Sequence, residues 1–187
     1  MFSIIVRTSF VFMLVCGLLY HLAVTAIAQI VMPYQANGSL VKDEQGTVIG
    51  SELVGQSFTD PKWFHGRLSS IEYAADGSGS PNYAPSHPDM LARTLESVEQ
   101  WEIHNPQVAR DQLPIDLVTN SASGLDPHIS IQGAKAQIPR VSAQTGIPLE
   151  ELERMVEEHI KGRELGFLGE PVVNVLLLNI DVSHHLK

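Results

Sequence analysis

Cysteine is almost absent from this chain: Cys16 is the single one among 187 residues. An intrachain disulfide is therefore impossible, and a cysteine-rich zinc site is excluded. Basic residues are scarce as well. Twelve Lys and Arg stand against 21 Asp and Glu, a net charge of −9, and such a surface repels phosphate backbones, so no nucleic-acid partner is expected. Several catalytic signatures are missing. The sequence has no G-x-x-x-x-G-K-[ST] phosphate loop, no G-x-G-x-x-G fingerprint, no H-E-x-x-H and no G-x-S-x-G elbow. The eight histidines are scattered. Their one adjacent pair, His184 and His185, is expected in a solvated tail without the further ligands of a closed metal site.

Charge is missing altogether from Thr8 to Met32, 25 residues without Asp, Glu, Lys or Arg. As a helix they reach roughly 37 Å, enough to cross a hydrocarbon core of about 30 Å with some tilt. "AIA" at 26–28 fits a signal-peptidase site, but the apolar run is longer than a signal's and continues through Ile30 to Met32. A retained anchor is expected. Arg7 precedes the run and the next basic residue is Lys42, which places a short tail, 1–7, in the cytoplasm, a membrane helix at 8–32 and an extracytoplasmic domain at 33–187. Gly17, Ala23 and Ala26 are small enough to let another membrane helix approach.

Past Pro33, which cannot continue the helix, the chain alternates strand and helix signals. Residues 38–58 read as short strands with glycine turns, and 76–88 as a polar loop. A helix is predicted over 88–104, with Pro88 first, Ser86 and Asp89 as a capping box, and Leu91, Leu95 and Val98 facing the core. "PIDLVTNS" (114–121) reads as a strand and "PRVSAQTG" (139–146) as a short helix. Residues 148–162 form an amphipathic helix ending at Gly162, and "PVVNVLLLNIDV" (171–182) is a buried central strand. The fold class is α+β: one N-terminal transmembrane helix, then a single extracytoplasmic α+β domain with helices layered on a sheet.

"SASGLDPHIS" (121–130) concentrates the polar side chains. Ser123, Asp126 and His128 are the residue types of a hydrolase triad, which makes a membrane-anchored periplasmic hydrolase the alternative function. Six consecutive residues seldom bring nucleophile, base and orienter into line. The economical reading is a turn with Gly124 at positive φ, followed by a helix that Asp126 caps and Pro127 opens, with His128 in its first turn.

These segments together resemble one family over the whole length. The anchor, "GSLV", "GSELVGQSF", "WFHGRLSS", "DLVTNSASGLDPHIS", "QIPRV" and "LGEPVVNVLLLNI" occur in the order found in the C subunits of the bacterial high-affinity potassium-transporting P-type ATPase, the Kdp complex. The polar loop departs from the family's Gly-Gly-Ser-Asn run and reads "GSGSPNYAPS" here. The resemblance implies a non-catalytic accessory subunit in the bacterial inner (cell) membrane, passing once, with its main domain periplasmic. Its implied partners are a potassium-binding A subunit, an ATP-hydrolysing B subunit and a small F subunit, besides membrane lipid. It also implies a catalytic chaperone that raises the B subunit's ATP affinity. The ATP contact implied with it falls on Ser121, Ser123 and Gln137. An extracytoplasmic domain does not meet cytoplasmic ATP, however, and no Lys or Arg lies between Ser121 and Ala134 to offset a triphosphate.

Overall fold

A computed structural model describes residues 1–186. They form two compact units, Met1–Ser51 and Glu52–Lys187.

The first unit is dominated by a helix over Phe2–Val31, with a mean hydropathy of 2.2 over its most apolar stretch and nothing buried. It consists of α1 (Phe2–Leu14), a π-helical turn (Val15–Leu19) and α2 (Tyr20–Val31). The helix thus starts six residues before the uncharged run and includes Arg7. It stops at Met32, whose φ of −142° leaves the helical region, because the residue before a proline is sterically pushed out of it. Pro33 then opens the single turn α3 (Pro33–Ala36). The expected strands follow as an antiparallel hairpin, β1 (Leu40–Lys42) with β2 (Val48–Ser51). Asp43 Oδ1 accepts the Gln45 and Thr47 N–H groups and so shapes the turn.

The second unit is α+β. A three-stranded antiparallel sheet has the order β3 (His128–Ser130), β5 (Val172–Asn174), β4 (Ile160–Lys161). Around it lie α4 (Pro88–His104), α5 (Ile131–Thr145), α6 (Leu149–Glu158) and α7 (Val175–His185). Phe64, Ile129, Val141, Leu152, Met155, Val156, Val173, Leu178 and Val182 are completely or almost completely buried, each contributing about 1.5–3 kcal/mol by leaving water.

Several sequence expectations change here. Residues 114–121 are not a strand: Ile115–Leu117 is a 3-10 turn, and only Asn120 pairs, in a single parallel bridge to Leu68. Helix α5 starts at Ile131, not Pro139, which lies inside it. The start signal is Ser130, whose Oγ accepts Gly133 N–H at 2.8 Å while Asp116 holds the Ser130 N–H at 2.7 Å. The apolar run 171–182 gives only three residues of strand before α7, since a run apolar on both parities fits a buried helix equally well. Asn174 Oδ1 accepts Leu177 N–H and caps the switch. His184 and His185 therefore end a helix, and His185 Nε2 lies 3.4 Å from Glu151. Helix α6 ends at Glu158, so Ile160 enters β4 and Gly162 caps nothing. On α4, His87 rather than Ser86 is the N-cap, its Nδ1 accepting Asp89 N–H. Leu91 and Leu95 are exposed, and Trp101 alone on that helix is buried.

Candidate functional site

The segment "WFHG" (63–66) lies outside the strands, and the backbone groups of Phe64 and His65 are met by side chains instead. Asn179, on α7, accepts Phe64 N–H and donates to Phe64 O, both at 2.8 Å. Gln137, on α5, treats His65 the same way, at 2.7 and 3.1 Å. One turn further on, Arg140 donates to Pro61 O, Trp63 O, Asn105 Oδ1 and Gln137 Oε1. These two amides act as a neighbouring strand would, and they are buried because the core residue Phe64 is. Arg140 is 6% exposed and has no carboxylate partner among the described residues. Burial lowers its pKa to about 10, which leaves it charged at neutral pH and held by neutral oxygens.

The 121–128 loop docks on the continuation of that segment. Ser121 N–H bonds Leu68 O, and Ser121 Oγ accepts Gly124 N–H at 2.8 Å. Ser69 Oγ donates to Gly124 O, and Gly55 N–H to Leu125 O. Gly124 has φ +72°, and a Cβ there would lie 2.6 Å from Ile71 Cγ1. Gly55 has the same constraint from outside, since its Cβ would lie 2.6 Å from Asp126 O. Asp126 does not cap a helix. A strand follows it, and its Oδ1 accepts His128 N–H at 3.0 Å in a local turn. Asp126 Oδ2 pairs with Arg67 at 3.2 Å. Burial opposes ionisation of this carboxyl, but its hydrogen bonds to His128 and Arg67 outweigh that and lower its pKa. Pro127 opens no helix either; its carbonyl accepts Val175 N–H.

Chemically the loop is a closed turn. Asp126 and His128 do come together, with Nδ1 3.6 Å from Oδ1. The third triad element is not there: Ser123 Oγ accepts Leu125 N–H at 3.1 Å and has no hydrogen bond to His128 among the described residues. The hydrolase reading thus has no nucleophile–base pair behind it. Of the residues tied to ATP by resemblance, Ser121 is 2% exposed and Gln137 0%. Gln137 also spends both amide atoms on His65, Gly133 and Arg140. No cluster of three or more His, Cys, Asp or Glu that could hold a metal occurs among the described residues. The residues that matter most, Arg67, Arg140 and Asn179, escaped sequence reasoning because their partners lie 59, 79 and 115 positions away.

Comparison with known proteins agrees with this framework. The family model described as "KdpC: K+-transporting ATPase, c chain" matches residues 2–184. A potassium-transporting ATPase KdpC subunit of Bacillus cereus (strain Q1) is 52% identical over 185 residues, which is 99% of this chain and 96% of that protein. Proteins of the same description from Bacillus thuringiensis subsp. konkukian (strain 97-27) and Bacillus anthracis are each 51% identical over the same shares.

Proposed function

Because the chain belongs to the KdpC family of potassium-transporting ATPase c chains, we propose that it is a non-catalytic accessory subunit of an ATP-driven potassium uptake complex. It assembles and stabilises that complex, with a potassium-binding A subunit, an ATP-hydrolysing B subunit and a small F subunit as its partners. The observation that carries this reading is where the polar side chains of the most distinctive segment go. Ser121, Ser123 and Asp126, together with Gln137 on α5, are all engaged in holding backbone, which leaves no nucleophile paired with a base.

In this reading the N-terminus is cytoplasmic and the α+β unit faces outward, supported by Arg7 ahead of the uncharged run. The chaperone effect on ATP affinity is then transmitted through protein contacts, with no tight ATP site on this chain. Extraction of the full chain in mild detergent, followed by mass-spectrometric identification of what accompanies it, tests the assignment. Stoichiometric ATPase subunits are expected. A chain that leaves the membrane alone contradicts it.

A further inference from the structure

Two buried side-chain donors are left over by the fold. Among the described residues, Trp101 Nε1 and Arg67 Nε are the buried side-chain polar atoms that meet no hydrogen-bond partner. Trp101 is only 9% exposed, and a buried N–H is costly unless something accepts it. The rest of the Arg67 guanidinium is engaged, Nη1 by Asp126 and Nη2 by the Asn120 carbonyl. Each leftover donor belongs to a residue that lines a cavity. Trp101, on α4, lines one of about 300 Å³, and Arg67 lines one of about 610 Å³. The two cavities share His65, Gly66, Leu68 and His104, so they adjoin along the 65–68 segment. Both volumes fall in the range of about 300–1,000 Å³ usual for small-molecule sites.

The same walls carry acceptors. His65 Nε2 lies 3.1 Å from Asp60 O, and His104 Nδ1 lies 2.6 Å from Gln100 O. A carbonyl only accepts, so these nitrogens hold the protons, and in the neutral rings His65 Nδ1 and His104 Nε2 are lone-pair acceptors. His65 stays neutral at pH 7, because burial and then the Arg140 charge lower its pKa to about 4. Glu96 lines the smaller cavity and Glu72 the larger, both of them exposed.

That mixture selects the ligand. An anion brings acceptors only and meets two carboxylates. A metal ion or an ammonium group brings nothing to which Trp101 or Arg67 can donate. A hydroxyl donates and accepts at one oxygen, so several of them on a neutral molecule answer both needs. Phe58, Tyr73 and Trp101 add aromatic surface to the walls, which suits the C–H faces of a sugar ring. We propose that the paired cavities along residues 65–68 bind a neutral carbohydrate. Its hydroxyl oxygens accept from Trp101 Nε1 and Arg67 Nε, and its hydroxyl hydrogens go to His65, His104, Glu72 and Glu96. This site is independent of the subunit reading, and either can fail alone.

The test is a titration of maltose into the full chain, held in micelles of a detergent without a sugar headgroup. The indole N–H signals are followed by NMR, with Trp63→Phe identifying that of Trp101. The Trp101 indole proton should move downfield and saturate, with half-saturation at about 1–10 mM, the range of a ligand held by few contacts. Neutral N-acetylglycinamide, which carries donor and acceptor on separate atoms, and inorganic phosphate should leave that signal in place. By calorimetry, Trp101→Phe, which keeps a ring and loses the N–H, should bind maltose about three- to tenfold more weakly, the worth of one hydrogen bond. Glu96→Ala and Gln100→Ala together change exposed positions on the wall of the smaller cavity and should weaken binding at least as much without unfolding the chain. A response that never saturates, as water in the cavities would give, overturns the proposal. So does an equal response to N-acetylglycinamide or phosphate, or unchanged binding by the doubly substituted chain.

Discussion

Replacing Asn179 by Leu removes one amide and leaves two backbone groups of Phe64 without partners. Both hydrogen bonds are 2.8 Å long and buried, and Phe64 itself is 0% exposed, so water cannot replace the lost partners without opening the core. Each unsatisfied buried group costs about 1–3 kcal/mol. Leucine has a similar volume, so the cavity contribution stays small. The expected loss is therefore about 2–6 kcal/mol, a large part of the roughly 5–15 kcal/mol that holds such a domain. The assay is urea unfolding of the full chain in detergent micelles, followed by tryptophan fluorescence. Trp63 and Trp101 are the only two tryptophans, and both belong to the core cluster or pack against it. Ser123→Ala gives the contrast, since it removes one half-buried acceptor and should cost under about 1 kcal/mol. A loss below about 1 kcal/mol for Asn179→Leu would refute the side-chain pairing of the 63–66 segment.

Burial, and then the Arg140 charge, lower the pKa of His65 from 6.5 to about 4. The unfolded chain thus takes up the proton first: stability is full above pH 6.5 and falls as the pH drops from 6.5 toward 4, by about 1–3 kcal/mol after allowance for partial exposure. His65→Gln should flatten that slope in urea titrations at pH 7 and pH 5. Gly124→Val should destabilise by more than about 2 kcal/mol, because it combines positive φ with a 2.6 Å contact to Ile71. Asp126→Ala should cost about 1 kcal/mol, and an unchanged melting temperature in both variants would remove the turn from the account. Calorimetric titration of the full chain with Mg-ATP should show no saturable micromolar binding, whereas binding abolished by Ser123→Ala would reverse the view of that loop.

What could be read from sequence was whatever depends on neighbours in the chain. The apolar run, the proline stop at 33, the glycine turn at 124 and helix α4 all follow from local sterics or period. Asp126 reads in the sequence as the N-cap of a helix, whereas a strand follows and its carboxylate shapes a local turn, because an aspartate before a proline looks alike ahead of a helix or a strand. The 171–182 run failed for a related reason. When both faces of an element are buried, periodicity vanishes, and only Asn174 marked where strand becomes helix. The pairing of 63–66 with Gln137, Arg140 and Asn179 left no trace in spacing at all. Polar residues on otherwise apolar helix faces were the available signal, since Gln137 and Asn179 each sit among buried neighbours and a buried amide needs partners.

The central claim is that the complex needs this chain but not any chemistry performed by it. The direct measurement is potassium uptake at low external potassium in cells that lack the chain, and in the same cells given back either the unaltered chain or one carrying Ser123→Ala and His128→Ala. Uptake should disappear without the chain and return equally with both versions. Uptake that persists in the deletion, or that fails with the substituted chain when it is present in the membrane at normal levels, would contradict the account.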